Sequence, residues 1–126
     1  MPNARRVGEL VDRIWTLIGP INVTSGYRCD GLNRAVGGSP LSAHLAGRAV
    51  DFVPVLLDVR AAMLQLCESD IPFDKLILEG IAGEWWLHAQ VPADGILPRG
   101  RFLMCLAPGK FEPWNPHDGR VLSALA

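Results

Sequence analysis

No run in this 126-residue chain approaches the roughly 20 consecutive apolar residues of a membrane-spanning helix, so no membrane span is expected. Neither sign of charge is in excess: 12 Lys and Arg stand against 13 Asp and Glu, a net −1. That balance makes no electrostatic case for nucleic acid or for an acidic membrane surface. Cysteine is scarce, and Cys29, Cys67 and Cys105 are too scattered for a Cys-x-x-Cys metal site. They read as reduced thiols of a protein made in a cytoplasm, each a small buried hydrophobe without a chemical role. No secretory signal is expected, because Arg5-Arg6 leads into an amphipathic pattern and not into an apolar stretch. Internal repeats, low-complexity tracts and linkers are also missing, so residues 1–126 read as one domain, with a core at about 5–106 and a tail at 107–126.

What is present is a globular balance, 49% hydrophobic and 20% charged, broken into short elements by ten Pro and thirteen Gly. Val7, Leu10, Val11, Ile14, Leu17 and Ile18 repeat at helical spacing and predict a one-faced helix over 4–18, stopped by Gly19-Pro20. Ile21 to Thr24 alternates as a short strand, and Leu32, Asn33 and Val36 predict one helical stretch ended by Gly37-Gly38-Ser39-Pro40. Ala49 to Val53 has strand character, and Asp58 is placed to cap a helix reaching about residue 68. Phe73 to Glu79 and Trp85 to Val91 predict an antiparallel hairpin, with Gly80 and Gly83 in the connection. Residues 92–101 are a Pro/Gly loop, Arg101 to Leu106 a further strand, and no element is predicted after Pro108.

The chemistry concentrates in Ser42-Ala43-His44-Leu45-Ala46-Gly47-Arg48-Ala49-Val50-Asp51, where a histidine and an aspartate stand seven residues apart. Imidazole nitrogen and carboxylate oxygen together suit zinc. A third ligand is offered by His88, a polar group in the aromatic run Trp85-Trp86-Leu87-His88 that needs something to satisfy it. Two His and one Asp leave a tetrahedral zinc one open position, the pattern of catalytic sites. Glu79 and Glu84 are the candidate general bases, and Arg28, closing a strand at a Gly-containing bend, is the candidate clamp for a carboxylate or oxyanion. His117, in a surface turn among Pro and Asn, is given no role.

At these residues the chain resembles a known family. Ser25-Gly26-Tyr27-Arg28, Asn33-x-Ala35-Val36-Gly37-Gly38-Ser39, Ser42-x-His44-x-x-Gly47-x-Ala49-x-Asp51 and Trp86-x-His88 follow in its order. The family is that of the zinc D-Ala-D-Ala carboxypeptidases, with the L-alanyl-D-glutamate endopeptidases of phage lysins and the vancomycin-resistance dipeptidases. The hedgehog signalling domain shares its fold. The resemblance covers about residues 5–106 and implies an α+β domain with helices on one face of a small antiparallel sheet and a zinc groove on the other.

It further implies that His44, Asp51 and His88 bind Zn2+, that Arg28 binds substrate and steadies the tetrahedral intermediate, and that Ser42 supports the site beside His44. The implied substrate is a peptidoglycan stem or crosslink peptide, cut at a bond involving a D-amino acid. This sequence departs from the family at the base. The family's glutamate precedes the last histidine by three residues, where Trp85 stands here and Glu84 lies one position further away. Counted from Phe73-Asp74 the family's glutamate falls on Glu79, which is the preferred base. The short form most resembles a stand-alone phage or prophage member, a monomer made in the cytoplasm that acts on the wall after release. A non-catalytic zinc-binding module and a virion-associated structural protein of the same fold are the alternatives.

Overall fold

The computed structural model describes residues 3–25 and 47–124. The first helix, α1 (Asn3–Ile18), buries Leu10, Ile14 and Ile18 along one stripe, as the 3.6-residue period demands. It ends where Gly19 donates its N–H to the Trp15 carbonyl and Pro20 follows. Strand β1 (Ile21–Ser25) comes next, and the chain returns as β2 (Ala49–Pro54). Helix α2 (Val59–Cys67) is capped by Asp58, whose carboxylate accepts from the Ala61 N–H at 2.7 Å. Its apolar face places Val59, Ala62, Met63 and Leu66 in the core. No helix among the described residues is long and apolar enough to cross a membrane.

Strands β3 (Lys75–Ile81) and β4 (Glu84–Gln90) form the predicted antiparallel hairpin. Its turn is shorter than the sequence pattern implies. Only Ala82 (φ 54°) and Gly83 (φ 81°) lie outside the strands, both left-handed as a two-residue hairpin turn of type I′ requires. Gly80 belongs to β3, opposite Trp85, where a side chain would collide with the indole ring. The regular strand also starts two residues later than predicted. Phe73 shares the core with Leu76 and Leu78, so alternation breaks between them.

The sheet has six strands in the order β1-β2-β4-β3-β5-β6, with β5 at Arg101–Ala107 and β6 at Lys110–Pro113. The expectation of a purely antiparallel sheet is corrected at one pairing, because β3 and β5 run parallel, Lys75 beside Arg101 through Glu79 beside Cys105. The cause is the path of residues 91–100. They cross the start of β3, where Gly100 donates to the Phe73 carbonyl and Arg101 to the Asp74 carbonyl, so β5 begins at the same end as β3.

The tail is structured where no element is expected. Beyond β6 a short helix, α3 (Gly119–Ala124), inserts fully buried Val121 into the core, and Trp114 packs against that core. Arg60 of α2 holds the intervening turn by donating twice to the Pro116 carbonyl, at 2.8 and 3.2 Å. A four-residue edge strand and a six-residue helix are too short for periodicity to reveal them.

One hydrophobic core joins α1, α2 and α3 to the sheet face bearing Val50, Phe52, Leu76, Leu78, Leu87, Ala89 and Met104. This is an α+β architecture with its described helices on one face. Because successive strand residues point to opposite sides, the same strands direct Asp51, Glu79, Trp86, His88 and Cys105 to the second face.

Candidate metal centre

Three of the polar side chains on that second face converge. Asp51 and His88 are direct cross-strand partners on β2 and β4, and Glu79 stands opposite Trp86, two positions along the hairpin. One donor atom from each of Asp51, Glu79 and His88 lies within 4.8 Å of the others. Within it, His88 Nδ1 and Asp51 Oδ1 lie 3.0 Å apart. Their side chains are 11% and 16% exposed, so the pair is largely removed from water yet still reachable.

Two of the donors, Glu79 and His88, are oriented by neighbours outside the cluster. The Trp86 indole N–H donates to Glu79 Oε2 at 2.7 Å, which fixes the carboxylate over the hairpin. The other ring nitrogen of His88, Nε2, meets Gln90 Oε1 at 2.8 Å. Gln90 donates its amide N–H to Asp74 Oδ2 at 3.1 Å, and Arg99 grips Asp74 through two guanidinium hydrogen bonds of 2.9 and 2.8 Å. The Arg99 fork draws the Asp74 carboxyl down to about 2, outweighing the opposing effect of burial, and Gln90 adds to the lowering. Burial is the largest single influence on His88 and opposes its protonation. The hydrogen bond and charge of Asp51, aided by Gln90 and Glu79, together outweigh it and hold the imidazole above its ordinary pKa.

The donor chemistry fits a divalent transition ion. The Asp51 carboxylate and the His88 imidazole, 3.0 Å apart, are the hard-to-borderline donors that zinc accepts, and the Glu79 carboxylate stands beside them. Asp51 and His88 of the sequence-derived ligand set are therefore adjacent. Its third member, His44, lies outside the described residues, as do Arg28, Ser42, Cys29 and the helical stretch expected at 32–36. Of the two candidate bases, Glu79 is inside the cluster. Glu84 is exposed at the start of β4 and belongs to no such group among the described residues. His117 is exposed in a turn, its backbone N–H held by the Asn115 side chain.

The two described thiols, Cys67 and Cys105, fit the inert reading. Burial, and after it the charge of Glu68, pushes Cys67 up to about 12. Burial followed by the charge of Glu79 likewise raises Cys105, whose Sγ donates to the Ala107 carbonyl. Thiolates are disfavoured at both.

Gln90, Asp74 and Arg99 are the residues the sequence pattern does not single out. The available signal is the spacing His88-x-Gln90, which on a strand sets both side chains on one face. The two remaining members come from other segments and leave no local trace.

Compared with known families, the chain matches Peptidase M15 over residues 3–86, two thirds of its length. The chain belongs to the Peptidase M15 family. M15 enzymes are zinc-dependent metallopeptidases, which agrees with the donor set on the second face. The matched span includes Asp51 and Glu79 and stops two residues before His88. No curated protein matches the chain.

Proposed function

We propose that this M15 member is a zinc-dependent hydrolase of peptidoglycan stem or crosslink peptides, cutting at a bond that involves a D-amino acid. The observation that carries the reading is the Asp51–Glu79–His88 cluster on the sheet face opposite the described helices, in a chain of this peptidase family. Asp51 and His88, with His44, hold the zinc, while Ser42 supports the site beside His44. When bound, zinc supplies a Lewis acid that polarises the scissile carbonyl and acidifies water. The hedgehog-type arrangement and the phage-lysin role belong to the same proposal.

Within this reading the protein's own groups divide the remaining work. Glu79 takes a proton from the attacking water and returns it to the leaving amine, which requires a carboxylate oriented but not neutralised. The Trp86 N–H contributes to that: a neutral donor orients Glu79 without adding a charge that would quench its basicity. Arg28 holds a substrate carboxylate or the developing oxyanion, for which a planar fork of donors is suited. Exposed Glu84 has no comparable support from a neighbouring donor among the described contacts and is the lesser candidate for the base.

The test is digestion of purified peptidoglycan by the zinc-loaded protein, with mass spectrometry of the released fragments and a chelated sample as control. Zinc-dependent release of fragments with one consistent new terminus is expected, and it identifies the bond. Failure to release fragments from several wall chemistries, with zinc bound, would overturn the enzymatic reading.

A further inference from the structure

We infer that Arg99, Asp74 and Gln90 form a relay, half-exposed at Arg99 and buried at Asp74 and Gln90, that decides which ring nitrogen of His88 faces the metal, an inference that rests on reading Asp51–Glu79–His88 as the metal centre. Arg99 can only donate, and it engages both oxygens of Asp74, Nε to Oδ1 at 2.9 Å and Nη2 to Oδ2 at 2.8 Å. Its backbone N–H adds a third bond to Oδ1 at 3.3 Å. A carboxylate held in this way only accepts. The end of the Gln90 amide that faces Asp74 Oδ2 at 3.1 Å must therefore be its NH2.

The rest is forced by geometry. An amide presents nitrogen and oxygen at opposite edges of one planar group, so with NH2 toward Asp74 the oxygen points at His88 Nε2, 2.8 Å away. An amide oxygen cannot donate, hence Nε2 must carry a proton. Nδ1, 3.0 Å from Asp51 Oδ1, is then the nitrogen that gives its lone pair to an ion. The conclusion is the same whether His88 begins neutral or cationic. In either case the Nε2 proton is retained, and any proton on Nδ1 is the one displaced.

Burial gives the relay its force. Asp74 is 0% exposed, Gln90 6% and His88 9%, so water is poorly placed to substitute for a missing partner. Without the Asp74 anchor the Gln90 amide would be free to turn over and offer NH2 to Nε2. That would favour the opposite tautomer, with a proton on Nδ1 pointing into the metal position. Arg99 sits on the loop of residues 91–100, so this otherwise irregular segment is tied to the metal centre through two intervening side chains.

Gln90 and Asp74 act here as positioning residues, and the test uses readouts that a merely structural role would not move. Zinc affinity is measured by chelator competition for the unsubstituted protein and for Gln90→Met, which keeps the side-chain length but has no amide oxygen. A loss of about 10–100-fold is expected, the range typical for removing the partner of a metal-bound histidine. In parallel, nitrogen-15 NMR of the zinc-loaded unsubstituted protein is expected to show His88 protonated on Nε2 and coordinated through Nδ1. Zinc on Nε2, or a Gln90→Met affinity within about twofold of the unsubstituted protein, would overturn the relay. The NMR assignment needs no variant, so it decides the question even if Gln90→Met fails to fold. A protein that binds no zinc at all would instead overturn the metal-centre reading beneath it.

Discussion

The two faces of the central sheet are built from the same strands and have opposite characters. On β4, Leu87 and Ala89 are wholly buried against the helices, while Trp86 and His88 turn to the second face and join Glu79 and Asp51. On β2, Phe52 goes to the core and Asp51, its neighbour in the chain, to the metal cluster. A period of two residues thus separates the groups that stabilise the domain from those of the candidate metal centre, without assigning them to different segments. It follows that substitutions one residue apart should have unlike consequences.

The adjacent pair Leu87 and His88 puts that contrast to its strongest test. His88→Ala should weaken zinc binding by more than the roughly 10–100-fold typical of losing a residue that only supports a ligand. Metal content after dialysis measures it, and undiminished zinc would remove His88 from the ligand set. Leu87→Ala should leave zinc binding of the folded protein intact and cost about 2–5 kcal/mol of stability, as cavities at fully buried leucines do. Denaturant unfolding followed by fluorescence gives that number, and a loss well below the range would mean that the core face collapses around the gap.

A smaller effect concerns the Asp74–Arg99 pair just before β3. Asp74 has its folded pKa depressed to about 2 from an ordinary 3.8, so its contribution to stability is fully present above the higher value. The contribution is lost as pH falls through this window toward the folded value. In Asp74→Asn the part of the acid-induced fall in the thermal midpoint that lies in this window should shrink, and an unchanged profile would show that Arg99 contributes no net stabilisation there.

Much of this arrangement is visible in the chain because alternation is a local signal. The helical stripe of α1, the Asp58 cap, and the placement of Asp51 and His88 on strands follow from spacing alone. The hairpin likewise brings Glu79 back beside β4, where Trp86 holds it. What is not visible depends on contacts between distant segments. The parallel β3–β5 pairing is decided by a loop that crosses the start of β3, and no periodicity records that crossing. The relay joins Asp74, Gln90 and Arg99 from three segments, so none of them stands out as a site residue. Val121 enters the core from a helix only six residues long.

The assignment of chemistry to the second face is tested most directly by Glu79→Gln, with fragment release from peptidoglycan compared at equal zinc occupancy. The amide can still accept from the Trp86 N–H but is not a base for the attacking water. This assignment predicts undiminished zinc and a rate lower by about 10²–10⁴-fold. Full activity in that variant would contradict it and move the base to another residue, with Glu84 the first to examine.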